Sequence, residues 1–116
     1  MLEVFLDTVP AHTPADAFSV LEQESEIDLI LTTIAFDDSR MIEFLQAVKR
    51  SAPTSAIPFL CSRILPSVLS DHLVESMRGV CRQCGACDLV DVAKLRPAAA
   101  QAALRAAVTS CLQTRQ

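Results

Sequence analysis

Ile27-Asp28-Leu29-Ile30-Leu31-Thr32-Thr33-Ile34 is a short apolar run, rich in Ile and Leu, of the kind that forms a strand buried on both faces of a parallel sheet. Downstream, Asp38 or Ser39 is placed to cap a helix whose apolar stripe is Met41, Ile42, Leu45 and Val48. Pro53 falls in the following connection, and Ile57 to Cys61 reads as the next strand. Pro66-Ser67 then opens a longer helix carrying Leu69, Leu73, Met77, Val80 and Cys84 at steps of three and four, with Gly85 placed to end it in a left-handed conformation. Asp88 to Val92 is the last strand, and Pro97 opens a final helix with Ala100, Leu104, Ala107, Val108 and Cys111 inward. Upstream, Glu3 to Val9 is a strand candidate by its β-branched and aromatic content. Thr13 and Pro14 start a helix that places Ala17, Phe18 and Leu21 on one face and ends near Ser25. Strands alternating with helices of this length predict right-handed parallel βαβ units in an α/β domain covered on both faces.

The 116 residues suit one domain, 1–116, with no internal repeat or linker. Hydrophobic residues make up 51%, and mean hydropathy is +0.34. No apolar run approaches the roughly 18 to 20 residues that span a bilayer, and Met1-Leu2-Glu3-Val4 lacks the basic and apolar regions of a signal peptide. The expectation is therefore a cytoplasmic protein with no membrane partner. A net charge of −4 with scattered Lys and Arg argues against nucleic acid as a direct partner. Trp and Tyr are absent, which removes the usual stacking platforms and many interface anchors. Five cysteines without an export signal predict reduced thiols used as small apolar residues.

The order of these pieces resembles the receiver domain of bacterial response regulators. Ile27 to Thr32 is similar to that family's third strand, Met41-Ile42-Glu43-Phe44-Leu45 to the start of its third helix, and Ile57-Pro58-Phe59-Leu60 to its fourth strand. Gly85-Ala86 with Asp88 resembles the turn before its fifth strand. Leu95, Pro97 and Leu104-Arg105 resemble the approach to, and body of, its last helix. The resemblance implies a three-layer flavodoxin-like sheet of about four parallel strands with helices on both faces. On this alignment the chain starts at the family's second strand, so the first strand and helix are missing. The alternative, with Leu6-Asp7-Thr8 as the end of the first strand, leaves too few residues before Thr33 for the helix, strand and helix between. The gap is then closed by the first candidate strand pairing with Ile27–Ile34, or by another chain, or the sequence is a truncated piece.

In the family an aspartate at the end of the third strand accepts a phosphoryl group, with Mg²⁺, a hydroxyl and a lysine offsetting the oxygens' charge. Here the nucleophile position holds Thr33, the hydroxyl position falls at Ser62 or Arg63, and the lysine position falls on Val92 or Ala93, with Lys94 nearby pointing elsewhere. The resemblance thus implies a pseudo-receiver that acts by binding a protein in trans, in two-component or phosphorelay signalling without aspartate phosphorylation. Its docking face would be formed by segments near 67–85, 88–92 and 97–112, with a homodimer as one form of partner.

A second reading starts from Cys81, Cys84 and Cys87, whose spacing could serve a metal- or redox-sensing module, with His72, Cys61 or Cys111 as a fourth ligand. Against it, Cys81 and Cys84 fall on the buried stripe of a helix, where side chains do not converge as in a knuckle. Cys84 with Cys87 as a redox pair would sit at a helix C-terminus, the wrong end for stabilising a thiolate. Asp37 and Asp38 read as loop and cap residues rather than phosphoacceptors. His12 and His72 are isolated, Ser62 and Ser70 lack a triad context, and two glycines cannot make a phosphate loop. The expectation is a non-enzyme without a cofactor.

Overall fold

The computed structural model describes residues 8–24, 26–66 and 69–113. The chain forms helix α1 (Pro14–Gln23), strand β1 (Ile30–Thr33), the single turn α2 (Phe36–Ser39) and helix α3 (Met41–Arg50). Strand β2 (Phe59–Arg63), helix α4 (Asp71–Gln83), strand β3 (Asp88–Asp91) and helix α5 (Pro97–Gln113) follow. The three strands make one parallel sheet in the order β1-β2-β3. Among the described residues the sheet has three strands rather than the expected four. Most of the expected first strand lies outside the described residues, and the described part, Thr8 and Val9, is not in a strand.

Burial explains the architecture. β2 is central, and all five of its residues are buried. Alternate side chains go to opposite faces. Phe59 and Cys61 join a large cluster with Phe44, Leu45 and Val48 of α3 and Val74 and Cys81 of α4, and Ala17 and Phe18 of α1 pack against it. Leu60 points the other way, to Val108 and Cys111 of α5. Among the described residues, three helices therefore cover one face and one covers the other. Phe44 organises the larger side: its ring lies 5.5, 5.0 and 5.8 Å from those of Phe18, Phe36 and Phe59, within the range where tilted and edge-on aromatic pairs attract.

Several element ends differ from expectation. β1 is shorter than Ile27–Ile34, and β2 is shifted toward Arg63. Neither Asp38 nor Ser39 caps α3. Asp37, Asp38 and Ser39 all have positive φ (55, 54 and 67°), and the residue before α3 is Arg40, with no side-chain cap. α4 starts at Asp71, capped by Ser70, whose hydroxyl accepts from the Leu73 amide at 3.2 Å. Ser67 and Val68 lie outside the described residues. The expected caps at Thr13, with Pro14 in the first turn, and at Gly85, with φ of 106°, are both present.

Candidate functional site at the carboxyl edge of the sheet

Parallel strands put all their carboxyl ends on one edge, where open α/β sheets place their ligands. Register brings Thr33 beside Ser62 and Arg63 beside Asp91, so the positions singled out from the sequence do gather there. Ser62 is fully buried, and its hydroxyl donates to the Thr32 carbonyl at 2.7 Å, turned into the sheet. Val92 is buried and its amide donates to the Arg63 carbonyl at 2.9 Å. Ala93 donates its amide to the Asp91 carboxylate at 3.1 Å. At these positions Thr33, Val92 and Ala93 contribute neither carboxylate nor ammonium.

What sequence reasoning missed at this edge is an ionic cluster centred on Arg63, which is only 3% exposed. Its guanidinium lies 3.1 Å from the Asp91 carboxylate and 3.5 Å from that of Asp71, and it donates to the Leu69 carbonyl at 3.4 Å. Lys94 turns to Asp71 at 2.6 Å. That hydrogen bond is the main reason the Asp71 carboxyl sits below its ordinary pKa, and Arg63 adds to it. Two cations thus meet two carboxylates, and the edge is self-neutralised. An arginine inside an apolar strand with Asp eight and 28 residues on is the only trace this leaves in the sequence. Asp37 is engaged by Arg40 at 2.9 Å, and Asp38 is exposed on the left-handed turn.

A second charged group lies on the outer side of α4 and β3. Arg78 grips Asp88 through two nitrogens at 2.7 and 3.1 Å, Arg82 reaches it at 3.1 Å, and Glu75 stands 3.5 Å from Arg78. Burial would push the Asp88 carboxyl up, but Arg78, the Leu89 amide and Arg82 together hold it below its ordinary value. A shallow groove of about 300 Å³ runs here between α4 and β3, the last strand of the sheet among the described residues, lined by Asp71, Glu75, Arg78, Asp88 and Asp91 among others.

The cysteines separate into different environments. Cys81 is buried against Cys61, whose thiol is held well above its ordinary pKa by that contact and by burial. Cys84 is half-buried and accepts from the Gln46 amide at 3.8 Å. Cys87 is disulfide-bonded to Cys111, which corrects the expectation that all five thiols are reduced. The pairing links the start of β3 to α5 on the same face of the sheet, a contact that spacing alone does not reveal. Cys81, Cys84 and Cys87 therefore do not converge, and no cluster of three His, Cys, Asp or Glu suited to a metal occurs among the described residues. His12 and His72 are both exposed. No helix among the described residues is long and apolar enough to cross a membrane. No protein-family model and no curated protein matches this chain.

Proposed function

We propose that the chain is a receiver-like, flavodoxin-like domain that works without aspartate phosphorylation, by binding another protein in two-component or phosphorelay regulation. The observation that carries this reading is the carboxyl edge of the sheet. Thr33 stands where a phosphoacceptor carboxylate would be needed, Ser62 spends its hydroxyl on the Thr32 carbonyl, and Arg63 and Lys94 neutralise Asp71 and Asp91. A threonine hydroxyl cannot form an acyl phosphate, and carboxylates held by arginine and lysine are poor ligands for a hard cation. The scaffold supports the same reading: a parallel sheet in sequential order with helices on both faces.

The docking surface in this proposal is the face of α4, β3 and α5. It offers the outer side of β3, the charged pairs around Asp88 and the groove beside them. Ion pairs at such a rim set orientation and association rate more than affinity. Incubation with acetyl phosphate and Mg²⁺, followed by intact-mass measurement, tests the first half: no phosphoryl adduct is expected, and one mapped to Asp37 or Asp38 overturns the reading. Sedimentation of the wild type and of Arg82→Glu tests the second. A dimer that Arg82→Glu dissociates would make the partner a second copy, whereas a monomer in both directs the search to a different protein.

A further inference from the structure

The Cys87–Cys111 bridge sits in a cleft of about 420 Å³ lined by Arg82, Cys87, Asp88, Ala107, Ser110 and Cys111. Cys87 is half-buried, while Cys111 is 1% exposed, so of the two residues Cys87 is the more open to a reagent entering the cleft. Arg82 stands at the same wall, half-exposed and paired with Asp88 at 3.1 Å. Asp88 lines the same cleft, so the guanidinium and the carboxylate offset each other there and access rather than charge singles out the bridge. Cys84, the nearest cysteine in sequence, packs with the core on the opposite face of the sheet and so is not the exchange partner.

The bridge also carries a disproportionate share of the attachment of α5. Among the described residues the fully buried cluster on that face is Leu60, Val108 and Cys111, with partly buried residues such as Val90 and Leu112 packed on it, so one of its three members is half of the disulfide. Cys87 immediately precedes β3, and Cys111 lies in the last turn of α5, with Cα atoms 5.6 Å apart. The bond thus pins the end of α5, the one helix on that side among the described residues, to the start of β3.

We propose that Cys87–Cys111 is a thiol–disulfide exchange site for dithiol reductants, and that its oxidation state decides whether the C-terminal end of α5 is seated on the sheet. A thiolate of the reductant attacks the Cys87 sulfur. The Cys87–Cys111 bond breaks, and its electron pair leaves on the Cys111 sulfur, which takes a proton. The second thiol of the reductant, as its thiolate, then attacks the mixed disulfide, releasing Cys87 as a thiol. The protein gains two electrons and two protons, and the dithiol becomes a disulfide. Reoxidation reverses these steps with a small disulfide such as glutathione disulfide. In a reducing compartment such bonds are characteristically transient rather than permanent.

The test titrates the full chain with dithiothreitol in the absence of denaturant. It reads alkylated cysteines by mass, and backbone hydrogen exchange over residues 104–113. In the oxidised protein only Cys84 should label, since Cys61 and Cys81 are buried. On reduction Cys87 and Cys111 should label together, exchange in the last turns of α5 should rise at least tenfold, and the melting temperature should fall by about 10 °C. The variant C87S/C111S should match the reduced protein and ignore dithiothreitol, and glutathione disulfide should restore the wild type. A bond reduced only after unfolding would overturn the proposal. So would native reduction that leaves α5 exchange and melting unchanged, or thiols that cannot be re-bridged. Because the wild-type titration needs no substitution, a variant that fails to fold does not blunt the test.

Discussion

Arg63 carries its charge into a position that is 3% exposed, and two carboxylate partners and the Leu69 carbonyl help to make that tolerable. Arg63→Ala leaves Asp91 and Asp71 facing each other with one cation fewer, and empties the space of the side-chain stem. Urea unfolding should show a loss of about 2 to 4 kcal/mol; a loss under half of that would mean the cluster is not what holds this edge. Asp88 gives a pH dependence whose sign follows from its lowered pKa. A carboxyl more acidic in the folded state than in the unfolded one adds stability above the unfolded value, and that stability is lost as pH falls through the folded value. Stability should therefore decline below about pH 4, and Asp88→Asn should flatten that part of the profile in denaturation curves taken from pH 2 to 6. An equally steep profile in the variant would assign the acid sensitivity elsewhere. Neither arrangement was legible in the chain. Thr33, Ser62 and Val92 could be placed at one edge by strand order, but the partners of Arg63 and Asp88 depend on helix rotation and loop path, which local periodicity does not encode.

Elements were most readable where one face decides everything. α3 buries Met41, Leu45 and Val48 of the expected stripe, with Phe44 in place of the only partly buried Ile42, a spacing that fits one helical face. Thr13 and Gly85 announced their helix ends because each does something only that residue type does well. At Gly85, φ is 106°, and an added Cβ would lie 3.3 Å from Cγ of Lys49. Lys49 cannot swing away freely, since its ammonium donates to the Ser55 and Ile57 carbonyls at 3.0 and 2.7 Å. Gly85→Ala should cost about 1 to 2 kcal/mol, seen as a lowered denaturation midpoint with an unchanged slope. The turn before α3 misled for the opposite reason. Asp and Ser are the usual caps, yet the same short polar side chains also tolerate left-handed backbone, and here they take that second role at Asp37, Asp38 and Ser39. Asp38→Gly relieves one such residue on the exposed turn and should raise stability by up to about 1 kcal/mol. A destabilised Asp38→Gly would show that the aspartate side chain contributes more than its backbone costs.

At the scale of the molecule the dominant fact is asymmetry between the two faces of the sheet. Among the described residues, eleven buried ones form the cluster under α1, α3 and α4, against three under α5. β2 contributes to both, so it belongs to the part that opens last, while α5 packs mainly on β2 and β3, with Leu31 of β1 at its margin, through a narrow stripe of Leu104, Val108 and Cys111. Burial area sets local as well as global stability. A helix held by few apolar contacts should detach in partial openings that leave the larger cluster intact. With the disulfide reduced, native-state hydrogen exchange should show α5 opening at a free energy well below that of β2 and α3, by about 1 kcal/mol or more. Paired substitutions give the same contrast from the side chains, because Val48 and Val108 are both fully buried but on opposite faces. Val48→Ala sits in the larger, better-braced cluster, where the surroundings relax least, and should cost more than Val108→Ala by about 1 kcal/mol. Equal protection of α5 and α3, together with equal costs for the two valines, would mean that the single helix is braced as firmly as the other three combined. The thinner layer would then no longer be the part of the molecule through which its state is read.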